Sequence, residues 1–280
     1  MSKMTNGYET RLIRELDFIH DDPAGDLSLD ALADVAALSR FHFHRVFHAV
    51  IGETVAAAVR RMRVYRASVA LVQTTAPLAK IAHAVGYPNL ASFTRSFAEL
   101  YGVPPAAFRA KGELRPLPPL FRTGVPPMYA VEIRQDPARR LAAMPHKGAY
   151  TEIGRAFEKG GAVLAARKLM GACGGMVGVY YDDPAAVAVA DLRSHAGFEI
   201  GSGPIDPPLE LVNLPAGRNA VLRFKGSYSG LPAAYEQLYR NWLPGSGETP
   251  ADSPVFEVYL NTPMDTAPEE LLTEICLPLA

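Results

Sequence analysis

Ala31-Leu-Ala-Asp-Val-Ala-Ala-Leu-Ser-Arg-Phe-His-Phe-His-Arg45-Val-Phe47, followed by Gly52, is written a second time as Lys80-Ile-Ala-His-Ala-Val-Gly-Tyr-Pro-Asn-Leu-Ala-Ser-Phe-Thr-Arg95-Ser-Phe97, followed by Gly102. Phe43/Phe93, Arg45/Arg95, Phe47/Phe97 and Gly52/Gly102 share one offset of fifty residues. Each copy reads as a short apolar helix, a tight turn and a second helix. In the second helix Phe43, Val46, Phe47 and Val50, or Phe93, Phe97 and Leu100, recur at i, i+3, i+4 and i+7 spacing. The pattern predicts two helix-turn-helix motifs in one chain. The opposite faces carry Arg40, His42, His44 and Arg45, and Asn89, Ser92, Thr94 and Arg95, groups that donate to phosphates and base edges.

Charge supports that reading. From Arg40 to Lys111 there are ten Lys/Arg against two acids, Glu53 and Glu99, although the whole chain has a net charge of −1. From Glu113 onward fifteen Lys/Arg face nineteen Asp/Glu, so the second part is a poor partner for phosphates. About half of the 280 residues are apolar and a fifth are charged, enough for ordinary cores and for more than one compact unit. No apolar run approaches a membrane span and Met1-Ser-Lys-Met-Thr-Asn has no signal-peptide core, which implies a cytoplasmic protein with no membrane partner. Cys173 and Cys276 are too few for a disulfide framework or zinc site and are expected as buried free thiols. The histidines lack metal-site spacing, so neither a metal nor a cofactor is expected.

The stretch from Lys111 through Pro116, Pro118, Pro119, Pro126 and Pro127 reads as an extended linker, which predicts a helical domain over 1–110, a linker over 111–127 and a second domain over 128–280. The first domain has one further helix, Tyr8 to His20, and a long one, Thr54 to Thr74. In the second, strands are expected over Met128–Arg134, Arg140–Met144, Met176–Tyr181, Leu209–Asn213, Asn219–Phe224, Val255–Tyr259 and Leu272–Leu277, with helices over Tyr150–Met170 and Gly230–Trp242. This domain is duplicated too. Arg140 to Tyr150 aligns with Arg218 to Tyr228 at an offset of 78, through Ala156/Ala234 and Glu158/Glu236. Val179-Tyr180 then echoes Val258-Tyr259 at 79. The fold class is therefore multidomain: an all-α double helix-turn-helix domain, then an α+β domain of two strand-helix-strand-strand repeats with a cleft between the halves.

Gly86-Tyr87, Phe93, Thr94-Arg95-Ser-Phe97, Gly102-Val-Pro104-Pro105 and Phe108-Arg109 resemble the signature of AraC/XylS-type transcription regulators. Tyr180-Tyr-Asp-Asp-Pro184, Phe256-Glu-Val-Tyr-Leu-Asn261 and Pro268-Glu-Glu-Leu-Leu-Thr-Glu-Ile275 resemble GyrI-like effector-binding domains, the kind attached to Rob-type and BmrR-type regulators. Together the resemblances cover nearly the whole chain. They imply a regulator whose two reading helices, about 34 Å apart, enter successive major grooves of an asymmetric duplex site, with RNA polymerase as a further partner. By family position Arg40, Phe41, His44 and Arg45 would face DNA from the first helix, and Leu90, Ala91, Ser92 and Arg95 from the second. Leu90 and Ala91 offer only apolar contact, so discrimination there would rest on Ser92 and Arg95. For a lone helix, solvated surface charge is the competing reading of such arginines.

In the resembling effector domains the carboxylate matching Glu257 lies at the base of the ligand pocket, which implies a small lipophilic or cationic effector. Tyr150, Tyr180, Tyr228, Trp242 and Tyr259 are candidate walls. Alternation alone does not say which strand face is the cleft, so a solvent-facing Glu257 with the aromatics in a core is the competing arrangement. Some stand-alone proteins resembling this domain are hydrolases, and a carboxylate beside a tyrosine could activate water. A hydrolase, or a binder that sequesters toxic small molecules, is the alternative function. No nucleophile motif, metal spacing or phosphate loop supports it, so no catalytic residue is assigned and the chain is expected not to be an enzyme.

Overall fold

The computed structural model of the chain describes residues 22–112 and 129–280, together with residues 11, 14, 15, 18 and 19. The helix expected over Tyr8–His20 and the linker beyond Gly112 lie mostly outside the described residues. The chain divides into two compact units, one holding 22–40 and 51–112, the other holding 41–50 with 129–280.

Helices α1 (Leu29–Ala36), α3 (Val55–Gln73), α4 (Leu78–Ala84), α5 (Leu90–Tyr101) and α6 (Pro105–Lys111) belong to the first unit. Their starts follow from capping. The Ser28 and Thr54 side chains accept from the backbone N–H of Ala31 and Ala57, and Asn89 Oδ1 accepts from the Ser92 N–H at 2.8 Å. Both repeats make the same turn. In the first, the N–H groups of Ala37 and Leu38 donate to the carbonyls of Asp34 and Ala33; in the second, those of Gly86 and Tyr87 donate to His83 and Ala82. The turning residue is left-handed in both, Ala37 at φ 50° and Gly86 at φ 84°. Gly86 leaves no room for a side chain, because a Cβ would stand 2.7 Å from the Pro23 carbonyl oxygen.

The second motif closes a core of Val64, Leu71, Ile81, Val85, Tyr87, Phe93, Phe97 and Phe108. Phe97 meets Phe93 and Phe108 edge to face, the arrangement ring quadrupoles favour. Arg109 donates to the carbonyls of Leu71 and Ala76, a structural role for that signature arginine.

Helix α2 (Arg40–Ile51) falls, through residues 41–50, in the second unit. The rest of that unit is built on one eight-stranded antiparallel sheet in the order β1 (Val131–Asp136), β6 (Gly217–Lys225), β8 (Leu272–Pro278), β7 (Val255–Tyr259), β3 (Cys173–Tyr180), β4 (Arg193–Ile200), β2 (Arg139–Lys147), β5 (Glu210–Leu214). The two repeats meet at β3 and β7, where Gly178 pairs with Glu257 and Val179 with Phe256. Each repeat lends a strand to the other's edge, β1 to β6 and β5 to β2. The Lys147-Gly148 and Lys225-Gly226 turns are equivalent, with the glycine N–H groups donating to Leu192 and Leu271.

Strand β4, Arg-Ser-His-Ala-Gly-Phe-Glu-Ile, is a correction to the seven strands expected. Ser194, Ala196 and Phe198 are buried on it, but Ser194 and Ala196 are polar or small and give the sequence little apolar signal. Helix α7 (Gly154–Ala166) packs on β2 and β4. Its counterpart α8 (Leu231–Glu236) continues through a π-helical segment, Gln237–Trp242, into α9 (Leu243–Ser246). Pro244 brings no N–H to the turn before it, consistent with that widened stretch. Both cysteines are free; Cys276 is buried, but Cys173 is only partly so, which corrects the expected buried pair.

Candidate functional site

Period-two alternation on β7 puts Phe256 and Val258 into the apolar layer of Leu141, Val177, Val179 and Cys276, so Glu257 and Tyr259 share the opposite face. Glu257 is 3% exposed. Tyr235 on α8 donates to Oε1 at 2.9 Å, and Tyr259 donates to Oε2 at 2.8 Å. The Tyr180 hydroxyl stands 2.6 Å from that of Tyr259 and extends the chain. Burial pushes the Glu257 carboxyl up from its ordinary pKa, while the hydroxyls of Tyr259, Tyr235 and Tyr180 and the charge of Arg45 pull the other way. Burial, reinforced by the Glu257 charge, holds the hydroxyls of Tyr180, Tyr235 and Tyr259 well above the usual tyrosine range. They therefore stay protonated and serve as donors.

The repeat explains how this group fits. At the offset of 79, Tyr180 matches Tyr259 and Gly178 matches Glu257. A Cβ on Gly178 would lie 2.9 Å from the Tyr180 ring and from the Tyr259 hydroxyl. One repeat supplies the carboxylate and the other supplies space for the tyrosines that hold it.

Around this floor Tyr228 meets Tyr259 edge to face at 5.5 Å, and Tyr150 meets Tyr180 at 4.8 Å. Tyr150 also ties down the loop after β3, since its oxygen accepts from the Asp182 N–H at 3.0 Å. The structure thus brings together Glu257, Tyr150, Tyr180, Tyr228 and Tyr259. Trp242, the remaining candidate wall, is half-buried at the end of the π-helical segment and is not among the groups that reach Glu257.

Tyr235 and Tyr239 were not singled out by the sequence. Their rings stack nearly parallel, with centroids 6.5 Å apart. The duplication held the missing signal for one of them, because Tyr235 matches Phe157 at the offset of 78 and Phe157 packs on Tyr259 at 5.5 Å.

Over these two rings lies Arg45 of α2, its Cζ 5.2 Å from the centroid of Tyr235 and 5.7 Å from that of Tyr239. Its Nη2 donates to the Asp182 carbonyl at 2.9 Å, and Nη1 stands 3.5 Å from the Tyr239 hydroxyl. Beside it His42 is fully buried. Nε2 lies 2.8 Å from the Ser253 carbonyl and Nδ1 lies 2.9 Å from the Tyr239 hydroxyl. A carbonyl only accepts, so Nε2 carries the proton and Tyr239 donates to Nδ1. Burial, helped by the Arg45 charge, lowers the His42 pKa to about 3, so the ring is neutral.

The residues expected to face DNA stand in unlike surroundings. On α5 Arg95, Leu90 and Ala91 are exposed, while Ser92 is half-buried and its hydroxyl donates to the Asn89 carbonyl at 3.0 Å. On α2 Arg40 is exposed and Phe41 and His44 are half-buried, but Arg45 is only 9% exposed. An open pocket of about 340 Å³ lined by Arg139, Arg140, Gly174 and Glu199 contains none of these groups. Among the described residues no helix is long and apolar enough to cross a membrane, and no three His, Cys, Asp or Glu side chains are grouped to hold a metal.

Residues 129–280 match the family model of the GyrI-like small-molecule binding domain, and residues 32–111 match that of a helix-turn-helix domain. The chain is 31% identical over 102 residues, 36% of this chain, to a Bacillus subtilis protein named as the uncharacterized HTH-type transcriptional regulator YbfP, of which the match covers 35%. It is 34% identical over 87 residues, 31% of this chain, to the transcriptional regulator Rob of Salmonella typhimurium, covering 30% of that protein. The chain spans about a third to a half of the length of the curated relatives it matches. Among solved structures, the EcmrR C-terminal domain aligns with 55% of this chain and 98% of its own, at 16% identity and a TM-score of 0.45. With more than half of its length covered by one family model, the chain belongs to the GyrI-like small-molecule binding family and carries an AraC-type helix-turn-helix domain ahead of the GyrI-like one.

Proposed function

We propose that the protein is a DNA-binding transcription regulator that reads successive major grooves with α2 and α5 and answers to a lipophilic cation bound by Glu257 and its tyrosines. RNA polymerase is its further partner in this reading. The observation that carries the effector side is the buried Glu257 itself: a carboxylate under tyrosine hydroxyls and ring faces favours a positive guest, because it is costly to bury without a counter-charge. The same domain already takes a cation of its own, the Arg45 guanidinium over Tyr235 and Tyr239. The DNA side rests on the duplicated helix-turn-helix and on the exposed α5 face.

Calorimetry on the full chain tests the effector reading, with tetraphenylphosphonium as the cation and triphenylphosphine oxide as a neutral relative. Glu257→Gln keeps the shape but removes the charge, so a charge-assisted contribution of about 1.5–3 kcal/mol is lost and cation affinity falls roughly ten- to a hundredfold. The neutral compound changes little. Equal weakening of both would make Glu257 a support for the pocket's shape. Recovery of the compounds unchanged after incubation separates binding from the hydrolase alternative.

A further inference from the structure

We infer that Arg45 is a built-in competitor of the effector: the guanidinium of the first reading helix and a lipophilic cation claim the same tyrosine-carboxylate group, so binding one releases the other. The inference rests on the cationic-effector reading above.

Three observations carry it. The first is shared chemistry. Tyr235 turns its ring face to Arg45 and its hydroxyl to Glu257, so the group that would cradle an aromatic cation beside the carboxylate is already engaged by a guanidinium. The second is charge. Glu257 and Arg45 are one negative and one positive group within the same buried cluster. A second cation entering while Arg45 stays would leave excess positive charge where water cannot screen it.

The third is the position of Arg45 in the repeat. Its counterpart Arg95 is exposed, whereas Arg45 is held by Tyr235, Tyr239 and the Asp182 carbonyl, with His42 fastening the same helix through both ring nitrogens. While Arg45 is held there, only the Arg95 helix presents its arginine. Expelling Arg45 makes a two-helix reader available. By linkage the converse follows: DNA that draws Arg45 out raises the affinity for the cation by the same factor.

The test uses the full chain, tetraphenylphosphonium, calorimetry and amide exchange over residues 41–50. Arg45→Gln removes the resident charge and should bind the cation about tenfold more tightly than wild type, within the usual range of coupling between sites. Saturating cation should speed exchange of residues 41–50 in wild type and add little in Arg45→Gln. Tyr239→Phe keeps the ring but drops the hydroxyl that meets both His42 and Arg45. It should shift affinity the same way by a smaller factor, and it decides the matter if Arg45→Gln fails to fold. Equal cation affinity in wild type and both variants, with exchange of residues 41–50 unmoved by cation, overturns the competition. If Glu257→Gln still loses the cation in that case, the effector reading survives alone. Failure of wild type and every variant to bind the cation removes both.

Discussion

Arg45 and Arg95 occupy the same place in a duplicated motif, six residues into their helices, and meet opposite surroundings. Arg95 is exposed on α5; Arg45 is 9% exposed and lies across two tyrosine rings. A repeat therefore specifies what a residue is and which helix face carries it, but not whether that face is available. Availability depends on what packs there.

The largest test of that contrast is the salt response of DNA binding. If the basic repeat neutralises six or more phosphates, affinity of the full chain should fall about a thousandfold or more between 50 and 200 mM salt. With tetraphenylphosphonium present the slope should steepen as Arg45 becomes available. A response independent of salt would break the DNA reading for both helices.

Next come the two arginines. Arg95→Ala should cost about 1–3 kcal/mol at one half-site with or without the cation, as expected for loss of a base contact. Arg45→Ala should cost that much only when the cation is present. Equal losses without cation would show that burial of Arg45 does not distinguish the two helices in solution.

A smaller effect follows from His42. Its pKa is about 3 while docked, against the ordinary 6.5. A released ring takes up a proton below pH 6.5 that the docked ring refuses, so docking is at full strength above that pH and weakens as pH falls toward 3. Between pH 7.5 and 5.5 the released fraction should rise about tenfold. Protection of the amides of residues 41–50, corrected for the intrinsic rate at each pH, measures it. Arg45, the Tyr239 hydroxyl and the Ser253 and Ala251 carbonyls face the ring. Glu257, whose pKa is raised, titrates in the neighbouring group. Loss of the slope in His42→Gln isolates the imidazole from that carboxyl.

The smallest effect compares the two turns. Ala37 and Gly86 are both left-handed, but only Gly86 is free of the Cβ penalty. Ala37→Gly should stabilise the chain by roughly 0.5–1 kcal/mol, while Gly86→Ala should destabilise it by about 1–3 kcal/mol, because the new methyl meets the Pro23 carbonyl. Thermal unfolding of the two variants checks the signs.

The sequence by itself determined the two folds and their duplications, because periodicity and capping are local. Apolar residues at helical spacing forced α2 and α5, Thr54 marked a helix start, and the Lys-Gly-x-Tyr repeats marked equivalent turns in the β-rich half, whereas Asn89, read as a group on the outward helix face, proved to be the cap of α5. Resemblance to GyrI-like effector domains pointed to Glu257, and Tyr150, Tyr180, Tyr228 and Tyr259 stand at matching positions of the repeats. Strand β4 escaped because its core-facing residues Ser194 and Ala196 are polar or small and carry little apolar signal; its burial comes from neighbours β2 and β3 that are distant in sequence. Tyr239 escaped because its counterpart at the offset of 78 is Gly161, so the duplication carries no aromatic signal there. Only the tertiary structure decided that Arg45 stands over Tyr235 and that His42 spans Tyr239 and Ser253. Those partners lie about 190 to 210 residues away, and a charged residue on a helix face carries no local mark of whether water or a ring will cover it.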